Sequence, residues 1–185
     1  MTDRFSRILP VALMVLPGPD GTMTFVHQLK GPYAGNWLLP GGGIDPGESA
    51  GAAAIRETAE ETGCRVAACS PFAVYEFTGT WAHGSYHLML FGFLADRPYR
   101  VPTGFDGHNV GAVRQVRIGE LPLHSTDLQI LTDAGVASYR DTEIARALSV
   151  DGISMTAHRV DRSISVPGGS ASATVPARNR TPTFP

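Results

Sequence analysis

The chain has 185 residues, 43% of them hydrophobic and 17% charged, with a formal net charge of −2 at pH 7. This suits one globular domain with a sizeable core, and a near-neutral charge does not call for a polyanion such as a nucleic acid as an obligatory partner. No stretch approaches the roughly 20 apolar residues of a membrane span, no basic region leads into a long apolar segment at the N-terminus, and two cysteines make no disulfide framework, so a cytoplasmic protein is expected.

In chain order, residues 8–16 are apolar apart from Pro10 and predict a buried strand. Pro17-Gly-Pro-Asp-Gly21 predicts a turn and residues 23–29 a second strand, so the two are expected to form a hairpin. A loop over 30–35 leads to a short strand at Trp37-Leu38-Leu39 and then to the run Pro40-Gly41-Gly42-Gly43. Glycines there let the backbone approach a ligand closely. A helix is expected from about Ser49 to Thr62, opened by Glu48 or Ser49 and stopped by Gly63. Residues 66–79 and 85–95 predict two strands, the second strongly apolar and central. Residues 97–112 read as a long surface loop, of the kind that often carries function. Val113 to Ile118 predicts a last strand, and 127–135 and 142–148 predict helices. More than half of residues 161–185 are Ser, Thr, Pro or Gly, which predicts a domain over 1–160 and a disordered tail.

The helix after the glycines carries the chemistry. At about 100° per residue, Glu57 and Glu61 lie roughly 40° apart and Glu60 roughly 60° to the other side of Glu57. All three carboxylates therefore share one face. Ala52, Ile55, Ala59 and Thr62 occupy the opposite face, which is expected to pack on the core. Like charges so spaced repel and need compensation, and hard oxygen ligands favour Mg²⁺, Mn²⁺ or Ca²⁺. A cation beside a glycine run suits a diphosphate.

This segment resembles the Nudix box, Gly-x5-Glu-x7-Arg-Glu-U-x-Glu-Glu-x-Gly-U, where U is bulky and aliphatic. Gly42, Glu48, Arg56, Glu57, Glu60, Glu61 and Gly63 fall in register. Thr58 and Cys64 depart from it at the two U positions, which are packing positions. The resemblance implies an α/β fold, a Nudix-type α/β/α sandwich with a mixed β-sheet and the box as loop–helix–loop. It implies a metal-dependent hydrolase that cleaves the pyrophosphate link of a nucleoside diphosphate derivative. Mg²⁺ is the implied cofactor, with Mn²⁺ as a substitute. Glu57 and Glu61 are the implied metal ligands. Glu60 is a third ligand or the holder of a metal-bound water, and a backbone carbonyl near Gly41 or Gly42 completes the shell. Arg56 resembles the family's orienting arginine, with Glu48 as its partner. Many family members are dimers, so a homodimer is a further expectation.

The general base is open between a box glutamate, Glu60 first, and a residue of the 98–119 stretch, where Asp106 and His108 are the candidates. Gly41, Gly42, Gly43, Glu48, Trp37 and Glu76 are candidate substrate contacts. Tyr33, Phe77, Trp81 and Tyr86 could also stack on a base, although most aromatics are core residues. His83 and His87 have i, i+4 spacing, but on a hairpin rather than a helix, which argues against a zinc pair. ADP-ribose pyrophosphatases often carry a proline about sixteen residues beyond the box and dinucleoside polyphosphate hydrolases a tyrosine slightly further on. Neither stands here, so a nucleoside triphosphate or modified nucleotide leads. The alternatives are an ADP-ribose or nucleotide-sugar pyrophosphatase, a non-catalytic nucleotide-sensing module, and an isomerase resembling the isopentenyl diphosphate type.

Overall fold

A computed structural model describes residues 8–105, 107 and 109–160. Two sheets face each other. The five-stranded sheet runs β4 (Gly41–Gly43), β1 (Ile8–Val15), β6 (Gly84–Ala95), β5 (Cys69–Trp81) and β8 (Ser154–Arg159). It is mixed: β1 and β6 run parallel and the other pairs antiparallel. The second sheet orders β3 (Trp37–Leu38), β2 (Met23–Gln28) and β7 (Val110–Val116). Helices α1 (Ala50–Thr62), α2 (Ser125–Asp133) and α3 (Asp141–Val150) complete the fold.

Strand periodicity explains the layers. β1 sends Leu13 and Val15 into a core with Phe25 and Phe77, and β6 adds Leu88. Ile130 and Leu131 of α2 join that core. The alternate residues of β1, Ala12 and Met14, meet Ala53 and Ala54 of α1 and Phe93 of β6 on the sheet's other face. Each fully buried large apolar side chain in these clusters contributes about 1.5–3 kcal/mol.

Two expectations about elements change, and one element was not expected at all. β1 and β2 do not form a hairpin; they enter different sheets and meet only at the bridge Pro17↔Met23. Both edges of β1 are taken, by β4 and β6, so none is free for β2. The glycine run is not a loop but β4, with Gly42 paired to Ala12. A Cβ on Gly41 would collide with the Ala12 carbonyl, so only glycine lets this strand lie so close to β1. Finally, residues 154–159 carry no sequence expectation yet form β8. That edge strand alternates partly buried Met155 and Ala157 with exposed neighbours. Its Arg159 Nε donates to Asp133 Oδ1 of α2 (2.7 Å), which also accepts from Gln129. Tyr75 of β5 donates to the other oxygen.

The α1 boundaries match the capping residues. The Ser49 hydroxyl accepts from the Ala52 N–H (3.2 Å), and Gly63 closes the helix in the left-handed region at φ 73°. The buried stripe differs from the one expected. Ala53, Ala54, Thr58, Glu61 and Thr62 are buried, whereas Ala52 is exposed and Ile55 and Ala59 only half-covered. The helix is rotated so that a box carboxylate, Glu61, turns inward. Thr58 fits its packing position because its hydroxyl donates to the Ala54 carbonyl (2.7 Å). Cys64, at the other, is buried as well.

Candidate active site

α1 and β4 bring the box residues together. Arg56 is the organiser: Nε and Nη2 hold both oxygens of Glu48 (3.0 and 2.9 Å), Nη2 also donates to the Gly43 carbonyl (2.9 Å), and Nη1 reaches Glu57 Oε1 (2.7 Å). One guanidinium thus ties the turn before the helix, the glycine strand and the helix into a single unit. It holds Glu48 below the usual carboxylate range, and these carboxylates strengthen the arginine's own hold on its proton.

Glu57 and Glu61 both reach β4. A Cβ on Gly42 would sit 2.6 Å from each Glu57 oxygen, so the Glu57 carboxylate occupies the space that any other residue at 42 would fill. Glu61 Oε2 accepts the Gly41 N–H (2.9 Å). Glu61 is only 5% exposed, and burial, with the charges of Glu57 and Glu60 adding to it, pushes its carboxyl up to about 8 against the pull of that N–H. Glu60 points outward, its side chain 43% exposed and 3.6 Å from Arg56. Among the described residues no group of three or more Asp, Glu, His or Cys side chains is close enough to hold a metal ion. The donors that do converge are Glu57 and Glu61, beside the backbone of β4. A carboxyl held protonated by burial, with like-charged neighbours adding to it, is a site that a hard cation would relieve, and to that extent the residues fit one.

Gly41, Gly42 and Gly43 also line a cleft of about 430 Å³ between the two sheets. Its walls are largely apolar, with Leu13, Leu39, Phe77 and Ile130 among them, and its polar liners include Thr126 and Asp127. That size and mixture suit a small organic ligand held in one orientation. Asp127 is 2% exposed; one of its oxygens accepts the Leu39 N–H (3.1 Å), and burial pushes its carboxyl up to about 8. Sequence reading did not find it, because an Asp in the first turn of a helix reads as a cap. A larger groove, about 730 Å³, lies between α3 and the start of α2, and no box residue lines it.

Other candidates fall elsewhere. Trp37 packs edge-on against His27, ring centroids 5.2 Å apart, and is not among the cleft residues. Glu76 lies on β5, three strands from β4 across the sheet, about 14 Å by strand spacing. It faces His158 (3.1 Å) and His87 (3.7 Å) instead. Tyr33 and Phe77 line the cleft, whereas Tyr86 packs behind Tyr33 and Trp81 against His83. Asp106 and His108 lie outside the described residues, but their neighbours are informative. A Cβ on Gly63 would touch the Phe105 ring and one on Gly107 would touch the Glu61 carbonyl, so Phe105 and Gly107 pack on the end of α1.

The NUDIX domain family model matches residues 8–134 of the chain. The chain belongs to the Nudix family. Among curated relatives, a Bacillus subtilis (strain 168) protein provisionally named 8-oxo-dGTP diphosphatase is 55% identical over 40 residues, 22% of this chain and 27% of that protein. An RNA pyrophosphohydrolase of Sphingopyxis alaskensis is 48% identical over 54 residues, 29% of this chain and 34% of that protein. These matches span only about a quarter to a third of the relatives' lengths. Two solved structures share the fold. One is the NUDIX domain of Shewanella oneidensis NrtR, complexed with ADP ribose (TM-score 0.55, 22% identity, 73% of this chain and 91% of that one). The other is a MutT protein of Bacillus halodurans (TM-score 0.55, 23% identity, 72% and 85%). The Nudix match ends before α3 and β8, so these elements stand outside the part of the chain the family describes.

Proposed function

We propose that this chain is a metal-dependent Nudix hydrolase that cleaves the pyrophosphate link of a nucleoside triphosphate or modified nucleotide. The observation that carries the reading is the juxtaposition of Glu57 and Glu61 on β4 with an apolar cleft that β4 also lines. Glu57, Glu61 and a carbonyl of Gly41 or Gly42 would hold Mg²⁺ or Mn²⁺, which would supply neutralisation of phosphate charge and acidification of water.

The protein's own groups do the rest. Arg56 fixes the angle of Glu57 and binds Glu48 and Gly43, so the glycine strand and helix stay in register. Glu60, exposed and beside Arg56, takes the proton of the attacking water. The nucleoside enters the cleft, and Asp127, carrying its proton below about pH 8, donates a hydrogen bond to it from the cleft wall. Phosphoryl transfer needs alignment and charge neutralisation more than covalent help, and this arrangement supplies both.

A hydrolysis screen with Mg²⁺ and Mn²⁺ tests the reading. Its panel holds canonical and oxidised nucleoside triphosphates, 5′-triphosphorylated RNA, ADP-ribose, nucleotide sugars and dinucleoside polyphosphates, with Glu57→Gln as the blank. Metal-dependent product that the variant does not make is expected from the triphosphates. Turnover confined to ADP-ribose or nucleotide sugars would move the reading to those pyrophosphatases. Binding detected by melting shifts, with no turnover across the panel, would make the chain a nucleotide-sensing module.

A further inference from the structure

The substrate proposed above is a polyanion, and the cleft offers it very little positive charge. Of the charged residues lining the cleft, Asp45 and Asp127 are acids and Lys30 is the one cation. Lys30 is also the sole lysine of the chain. Arg56, the nearest cation of the box, is committed to Glu48, Glu57 and the Gly43 carbonyl. Lys30 has no such commitment: it is exposed, and none of the ion pairs among the described residues involves it.

Its backbone is nevertheless held. Lys30 follows β2 in a loop whose neck is closed by Gln28 N–H to the Asn36 carbonyl (2.9 Å) and Gly35 N–H to the Gln28 carbonyl (2.8 Å). The tip is anchored by Tyr33, which packs edge-on to Tyr86 (5.7 Å) and against His124 (4.5 Å). Lys30, Gly31, Pro32 and Tyr33 all line the cleft, so a fixed loop sets Lys30 at its wall. The loop springs from the three-stranded sheet, while Gly41–Gly43 belong to the five-stranded one.

We propose that Lys30 binds the phosphate chain of the substrate, reaching it from the three-stranded sheet, opposite the cation that Glu57 and Glu61 of α1 would hold beside β4 of the five-stranded sheet. The inference rests on the nucleotide reading above. An ammonium there lowers the local cost of a multiply charged ligand and makes phosphate-rich nucleotides better ligands than the nucleoside.

Two measurements test it. In the first, Lys30→Met is compared with the wild type on the best substrate of the screen. KM is expected to rise about tenfold with kcat within about threefold, and Lys30→Arg to restore most of the loss. A KM for Lys30→Met within about twofold of wild type overturns the proposal. The second needs no turnover. Lys30 carries the only side-chain amine, so an amine-acetylating reagent marks it and the N-terminal amine alone, and peptide mass spectrometry reads both. With α,β-methylene dGTP and Mg²⁺ present, acetylation of Lys30 is expected to slow at least about fivefold relative to the N-terminal amine. Equal slowing of both, or of neither, overturns the proposal. Failure of the screen with protection of Lys30 intact would refute the hydrolase and keep the phosphate contact.

Discussion

Two carboxyls sit where water barely reaches them, and they do so for different reasons. Glu61 is turned inward by the rotation of α1 and is pressed by the charges of Glu57 and Glu60. Asp127 is isolated in the cleft wall with one N–H for company. Each keeps its proton in the folded chain up to about pH 8, whereas the unfolded chain releases it near the ordinary carboxylate range. The folded state therefore holds more protons between about pH 4 and pH 8, and stability falls as pH rises through that window. Tm is expected to drop by several degrees from pH 5 to pH 8, and Asp127→Asn, which still accepts from Leu39, should flatten part of that slope. A wild-type curve flat over the range would mean that neither Glu61 nor Asp127 keeps its proton to that pH. Activity tests the other side of the site. Glu57→Gln and Glu61→Gln should each lower kcat at least about a hundredfold at saturating Mg²⁺, a loss of some 2.7 kcal/mol of transition-state stabilisation. Circular dichroism should stay unchanged. Near wild-type rates in either variant would remove that residue from the ligand set.

At the scale of elements, the box helix was legible because its punctuation is chemical: Ser49 opens it, Gly63 closes it, and both act as their residue types dictate. The salt link from Arg56 to Glu48 was legible only through the resemblance to the Nudix box. What the sequence hid was relative placement. An apolar run such as residues 8–16 announces a buried strand but not which strands flank it, so the hairpin with β2 was a fair local inference that the taken edges of β1 forbid. β8 is short, half-polar and on an edge, and such a strand owes its existence to partners rather than propensity. One of those partners is Asp133, which joins α2 to β5 and to β8. Asp133→Ala should lower Tm by about 5 °C or more, because it leaves Tyr75 and Gln129 without their acceptor. A shift under about 1 °C would show that β8 is held by its ladder with β5 alone. Glycine placement gives a second element-scale prediction. Gly42→Ala puts a methyl where the Glu57 carboxylate lies and should cost turnover far more than stability.

For the whole molecule, the described body ends with β8 against β5, and among the described residues no helix is long and apolar enough to cross a membrane. Residues 163–185 are rich in Ser, Thr, Pro and Gly and poor in large apolar side chains, so ending the chain at Arg162 should shift Tm by less than about 2 °C and leave kcat/KM unchanged. A larger drop would reveal contacts made beyond that point. The overall class, an α/β fold with a mixed sheet, could be read in advance because the box fixes the family. The facing three-stranded sheet and the cleft it closes could not, since they arise from pairings such as Met23↔Val116 over long sequence separation.

β4 is a strand without side chains. Whatever lies along Gly41–Gly43 meets main-chain atoms, which no substitution elsewhere can re-letter, while the cleft's far wall is written in Leu39, Thr126, Asp127 and the Lys30 loop. The molecule thus separates a main-chain anvil from an editable gauge. On the proposed nucleotide reading, the gauge can be recut for a different nucleoside under mutational drift while the anvil stays as it is, and directed evolution of this chain would find new specificities on α2 and the β2–β3 loop before it found any on α1.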